Sequence, residues 1–232
     1  MVKPIFKWSG GKGRLIQKYT DLGFFPDPSQ FDTFVDLFFG GGAVTCWVAD
    51  RYPDKKLIIN DKNLELITMY RHMVEDWDKF MFYYERTWKT FINTPVDRRK
   101  DLFMSYKKRY RWNWQNQDPV EMSANLLVLM KTNFNGIWLV YKKWGPRFGT
   151  APGGVTYKES VFDPALVRQF REVLRRATIL SGSFEEVIIP ERSWVYADPP
   201  YRDGTHSEQY GIVFGDGHQD KLVKFLQESG AF

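Results

Sequence analysis

The sequence predicts an α/β fold, a Rossmann-like sheet interrupted by a mostly helical, basic insertion, and three observations predict it. A β-favouring run, Phe34-Val35-Asp36-Leu37-Phe38, stops at Gly40-Gly41-Gly42, passes into a helical stretch and leads to a second strand ending in Asn60-Asp61. Strand, glycine turn, helix and acid-tipped strand is the half-Rossmann order. From about 65 to 160 the pattern becomes helical, aromatic and basic, and beyond it two further β runs restore the α/β alternation.

Each element follows from its residues. Lys7-Trp8-Ser9-Gly10-Gly11-Lys12 invites a phosphate-loop reading, but Gly13 stands where a magnesium-binding Ser or Thr belongs, and no strand leads in. A glycine-flexed loop with an indole and an ammonium suits a small zwitterionic ligand: Lys12 can meet a carboxylate and Trp8 can cover an apolar or cationic part. Residues 43–49 continue as a helix and 57–61 form the next strand. The stretch 64–116 has helical periodicity throughout, and 125–131 is a further apolar helix. Over 136–155 the glycines, Pro146 and Pro152 break helix while Ile137-Trp138-Leu139-Val140-Tyr141 favours β, which reads as a hairpin or extended loop. Asp163-Pro164 pairs an N-cap acceptor with a first-turn proline, opening a helix that runs to about Arg176. Thr178-Ile179-Leu180 and Trp194-Val195-Tyr196-Ala197 are strands, and Asp216 caps a last helix reaching Glu228. The expected organisation is a sheet domain of 1–64 plus 161–232 and an insertion of 65–160 carrying the 136–155 hairpin.

Bulk properties narrow the class. The 232 residues, 43% hydrophobic and 26% charged, suit one domain with a smaller insertion. Apolar runs are too short to cross a bilayer, and no apolar signal core follows Met1, so no membrane and a cytoplasmic location are expected. A single cysteine, Cys46, excludes an internal disulfide and offers no metal cluster. The formal charge of +5 leans towards a polyanionic partner. Arg98, Arg99, Lys100, Lys107, Lys108, Arg109 and Arg111 stand against one acid, Asp101, and Trp112 and Trp114 follow. That run is either a solvated helix face or a nucleic-acid surface.

Two constellations carry chemistry. The glycine turn lets backbone approach a bulky ligand, and Asp61 at the tip of the next strand can accept from ribose hydroxyls. Both NAD and S-adenosylmethionine (SAM) carry a ribose; the NAD fingerprint wants a third glycine where Thr45 stands. The decisive element is Asp198-Pro199-Pro200-Tyr201 directly after a strand. Its prolines remove two donors and stiffen the chain, so the carbonyls ahead of them face outward. The Asp198 carboxylate and the Pro199 carbonyl can accept the two hydrogens of an exocyclic amine. That localises its lone pair for in-line attack on a sulfonium methyl, and Tyr201 offers a plate for an extruded base.

In Lys7-to-Lys12, 34–42, Asn60-Asp61 and Asp198-to-Tyr201, taken in that order, the chain resembles the Dam family of DNA adenine N6-methyltransferases. Asn133-Phe134-Asn135-Gly136 is similar to the start of that family's recognition region. The resemblance implies a Rossmann-like SAM-dependent methyltransferase with Asp198, Pro199, Pro200 and Tyr201 as catalytic residues. It implies that Trp8, Lys12, Asp36, Phe38, Gly40, Gly42, Asp61 and Asp198 hold SAM. Lys7, Lys107, Lys108, Arg109, Asn135, Lys142, Lys143 and Arg147 are the expected contacts to double-stranded DNA, and no metal is implied. Leu139 stands where members reading GATC carry an arginine. The family continues with further strands, whereas this chain ends at Phe232, so a homodimer or a partner completing the sheet is a further expectation. An N4-cytosine enzyme and a catalytically weak DNA-binding relative are the alternatives to the adenine reading.

Overall fold

The computed structural model describes residues 2–112, 114–140, 148–154, 162–200 and 214–231. Four parallel strands form the sheet: β1 (Thr33–Asp36), β2 (Lys56–Asp61), β3 (Ala177–Ser181) and β4 (Ser193–Tyr196), in the order β3-β2-β1-β4. Val35 lies opposite Ile58 on one side and Val195 on the other. With both edges paired and both faces covered, β1 is buried along its whole length, as a central parallel strand is. All four strands end on the same edge, where ligands of such sheets bind. The α/β reading of the sequence is thereby shown.

Helix α1 (Ile16–Asp21) precedes the sheet, and α2 (Ala43–Arg51) crosses from β1 to β2. The stretch 64–116 divides into α3 (Leu64–Glu75), α4 (Trp77–Asn93) and α5 (Arg99–Trp112). The Asn63 side chain accepts from the Leu66 amide to cap α3. Pro95 and the buried Arg99 mark the α4–α5 corner: Arg99 donates to the Thr94 carbonyl at 3.0 Å and the Ile92 carbonyl at 2.9 Å, satisfying the end of α4. Then come α6 (Pro119–Thr132), α7 (Pro164–Arg175) and α8 (Asp216–Ser229).

Several boundaries correct the sequence expectation. Strand β1 stops at Asp36, because the Phe38 amide turns back to an Asp36 oxygen at 3.3 Å. Helix α6 starts at Pro119 rather than 125, capped by Asp118. Asp118-Pro119 is the same signal as Asp163-Pro164, where Asp163 accepts from the Leu166 amide at 2.9 Å. Gly215, not Asp216, occupies the N-cap of α8. Over 136–155, among the described residues, only isolated antiparallel bridges join Asn133 to Pro152 and Val140 to Phe148.

Hydrophobic packing is continuous between the sheet and the helical region. One cluster runs from Phe39, Cys46 and Ile59 through Leu66, Tyr70 and Met73 of α3 to Phe80 and Tyr84 of α4 and Leu127 of α6. Helix α6 is buried on every side from Val120 to Thr132, the mark of a central helix. Its polar residues have partners there: Thr87 donates to Asn125 at 2.6 Å, and Lys131 to the Ile5 carbonyl at 2.7 Å. Alternation along β1 sends Phe34 to a cluster with Val48 and Trp194, and Val35 to one with Phe184 and Leu222. No helix among the described residues is long and apolar enough to cross a membrane.

Candidate active site

A cavity of about 1060 Å³ opens at the carboxyl edge of the sheet. The structure places Trp8, Lys12, Asp36, Phe38, Gly40, Gly42 and Asp61 on its wall, together with Asp198, Pro199 and Pro200. Four sequence segments far apart in the chain therefore converge on one space. Tyr201 lies outside the described residues.

The carboxylates sit at the strand tips. Asp61 ends β2 and pins the glycine turn: one oxygen accepts from the Gly40 amide at 2.7 Å and the other from the Asn63 amide at 2.8 Å. The Tyr70 hydroxyl holds the same turn from below, donating to the Gly40 carbonyl at 2.6 Å. Asp36 ends β1 and accepts from the Thr45 hydroxyl at 2.7 Å. Thr45, which fails the NAD pattern, thus has a role of its own. Burial pushes the Asp36 carboxyl up to about 7, against the hydrogen bonds from Thr45 and Phe38, with Asp198 and Asp61 adding to the rise. Burial also raises Asp61, and it raises Asp198 against the opposing effect of Lys12.

The rise at Asp36 carries a stability consequence. Below its ordinary carboxylate range the group is neutral folded or unfolded. Between that range and about 7 the folded state holds a proton that the unfolded state has lost. Stability contributed by this site therefore falls as pH rises through that window and is lowest above it. Asp36→Asn is expected to shrink the fall in melting temperature between about pH 4 and about pH 7. Equal slopes in the two ligand-free proteins would contradict the burial argument.

Asp198 meets Lys12, whose ammonium donates to both carboxylate oxygens at 2.6 and 2.7 Å and to the Gly10 carbonyl at 3.0 Å. The loop bearing Lys12 is clamped from two sides. Trp8 packs over the glycine turn so closely that a Cβ on Gly40 would lie 2.6 Å from its indole nitrogen. On the other side the Ser9 amide donates to the Gly136 carbonyl at 2.9 Å, and the Lys7 ammonium to Asn135 at 3.2 Å. Gly136 has φ 67°, and a Cβ there would overlap the Lys7 carbonyl. The Asn135-Gly136 turn and the Trp8-to-Lys12 loop are therefore one packed unit.

The structure adds wall residues that the sequence reading missed. Phe184, following β3, lies 5.7 Å from Phe38, and Phe214 stands 5.7 Å from Phe38 and 6.2 Å from Phe184, so the three rings form one cluster. His218 of α8 lies against Phe214 at 5.5 Å. Gly182-Ser183-Phe184 after a strand was the available signal, parallel to the turn after β1. Among the described residues no group of His, Cys, Asp or Glu is placed to hold a metal ion.

The expected DNA contacts fall in two places. Lys7 and Asn135 are on the cavity wall. Lys107, Lys108 and Arg109 are on α5, outside it. Of these, Lys107 donates to the Gly149 carbonyl at 3.3 Å and Arg109 pairs with Glu121 at 3.2 Å. Lys142, Lys143 and Arg147 lie outside the described residues.

Residues 8–230 match the family described as D12 class N6 adenine-specific DNA methyltransferase. The chain is 28% identical over 234 residues to the type II methyltransferase M.MjaIII of Methanocaldococcus jannaschii, covering 98% of this chain and 80% of that protein. It is 26% identical to the type II methyltransferase M.CviBI of Paramecium bursaria Chlorella virus NC1A, covering 97% and 79%. A DNA adenine methylase of Haemophilus influenzae is 27% identical over 205 residues, covering 86% of this chain and 64% of its own length.

Proposed function

This chain belongs to the D12 class N6 adenine-specific DNA methyltransferase family, and from that premise we propose that its cavity holds SAM and receives an adenine extruded from a short duplex site. The observation that carries the proposal is the convergence of Asp198-Pro199-Pro200, Lys12 and the Asp61-pinned glycine turn on one wall. The residues fit the group. Asp36, Asp61 and Asp198 line the cavity, and carboxylates suit a ligand whose sulfonium and ammonium outweigh its one carboxylate. When bound, SAM supplies an electrophilic methyl group.

The chain's own residues supply the rest. Lys12, held on Asp198 here, is shared between that carboxylate and the carboxylate of the cofactor. Trp8 would cover the zwitterionic end, Asp61 would accept from the ribose, and Phe184 with Phe38, their rings tilted by 43°, would give a purine an apolar corner. Asp36, Gly40 and Gly42 shape the floor. Asp198 and the Pro199 carbonyl would accept the two amine hydrogens, localising the nitrogen lone pair towards the methyl group that SAM would supply. The proton that the methylated nitrogen gives up would pass to the Asp198 carboxylate that already accepts its hydrogen bond. Tyr201 stacks on the extruded base, since an amine paired inside a duplex is out of reach. Lys7 and Asn135 at the cavity mouth, with Lys107, Lys108, Arg109, Lys142, Lys143 and Arg147, form the DNA surface. Residues 1–64 with 161–232 form the catalytic domain and 65–160 the recognition region, working where the cell or an infecting phage exposes DNA, in the cytoplasm.

Equilibrium dialysis with labelled SAM tests the cofactor assignment. Wild type is expected to bind, and Lys12→Met to weaken binding by about tenfold or more, the scale of a lost charge-assisted hydrogen bond. Failure of wild type to bind overturns the cofactor, and an unchanged Lys12→Met overturns the role of Lys12.

A further inference from the structure

Lys131, in the last turn of α6, lies almost wholly inside the protein at 8% exposure. Its ammonium reaches away from its own helix and donates to the Ile5 carbonyl at 2.7 Å. Ile5 is itself buried, and it stands three residues before Trp8 and seven before Lys12. Those two side chains line the cavity, whereas neither Lys131 nor Ile5 does.

The helix end that carries this bond is firmly held. Helix α6 is buried along its length, and at its end the Gly153 amide donates to the Thr132 carbonyl at 2.9 Å. The Phe134 amide donates to the Ala151 carbonyl, also at 2.9 Å. The turn that follows returns to the same loop, where Gly136 takes the Ser9 amide and Asn135 takes the Lys7 ammonium. The segment 5–12 thus hangs from α6 and its following turn at Ile5, Lys7 and Ser9.

An ammonium in this interior is held against its solvation. Burial pulls Lys131 down to about 8, and the Asp163 carboxylate at the N-cap of α7 opposes the fall. Tyr84 of α4 also feels Asp163, and burial keeps it protonated. An apolar side chain would fill such a place at less cost in desolvation. What the ammonium adds is a charge-assisted hydrogen bond fixed on the start of the cofactor loop.

We propose that Lys131 is a positioning residue for the cofactor: its ammonium fixes the Ile5 carbonyl and so holds Trp8 and Lys12 where the ligand meets them. It acts through the loop and touches no bound group itself. The proposal rests on the cavity holding SAM and adds that α6 sets the affinity from outside the cavity wall. A charged donor makes the stronger bond, so the tie slackens as the amine loses its proton above about pH 8.

Equilibrium dialysis with labelled SAM across a series of pH values tests it. Lys131→Met keeps the length of the stem and drops the donor. At about pH 7 it should bind SAM about tenfold more weakly than wild type, the scale of one lost hydrogen bond from a charged group. Lys131→Arg keeps a charge that does not titrate and should restore binding. The decisive quantity is the ratio of wild-type affinity to that of either variant, in which the titration of SAM and of every other residue cancels. That ratio should fall by about fivefold between about pH 7 and about pH 9, the difference between a charged and a neutral donor. A ratio flat with pH would leave Lys131 a structural part only and overturn the proposal, whatever the melting temperatures of the variants. Wild-type affinity in Lys131→Met would overturn it as well, with the cofactor reading left standing. If wild type binds no SAM at any pH, the cofactor reading fails and the proposal falls with it.

Discussion

Replacing Asp198 with alanine is expected to slow methyl transfer by about 10²–10³-fold, the scale of removing one preorganised group aimed at the reacting atom. The carboxylate sits on the cavity wall directly after β4, 2.6 Å from the Lys12 ammonium. No other acid of the described wall follows a strand with two prolines behind it. Without Asp198 the amine hydrogens lose their charged acceptor and Lys12 loses its partner. Non-specific DNA affinity should change little, because phosphate contacts dominate it and come from Lys and Arg elsewhere. Single-turnover transfer measures the first quantity and anisotropy the second. Transfer within tenfold of wild type would remove Asp198 from the mechanism.

Gly136→Ala is expected to raise the dissociation constant for SAM by about tenfold or more, although Gly136 is not itself on the cavity wall. Its φ of 67° is unfavourable for any residue with a Cβ, a cost of about 1–3 kcal/mol. The added atom would also lie 2.5 Å from the Lys7 carbonyl carbon and 3.0 Å from the Trp8 amide nitrogen. The turn must then let go of the loop that carries Trp8 and Lys12. Gly154→Ala, where an added Cβ meets none of the described residues within 4 Å, is the control and should bind SAM as wild type does. Dialysis separates the two, and equal affinity in both variants would contradict the packed-unit description.

This coupling also shows where the sequence stopped being legible. The alternation around Gly40 to Gly42, the acid at Asp61 and the cap at Asp163 are local patterns, readable because each is set by neighbours within a few residues. The α/β class followed from them. The Ser9–Gly136 hydrogen bond and the Lys7–Asn135 contact link segments more than a hundred residues apart, and no local pattern encodes such a pairing. Arg99 reads as one charge among seven until its guanidinium is seen on the Thr94 and Ile92 carbonyls. Phe184 escaped because a buried aromatic opening a short 3-10 turn after β3 looks like ordinary core. The early start of α6 was readable, since Asp118-Pro119 repeats the signal used at Asp163-Pro164.

The most direct test of the account is product analysis. Purified protein, SAM with a tritiated methyl group and duplex DNA free of N6-methyladenine are incubated, and the DNA is digested to nucleosides. Wild type is expected to place label in N6-methyldeoxyadenosine, and Asp198→Ala to lose it. Label in N4-methyldeoxycytidine, or undiminished labelling by the variant, would contradict that expectation.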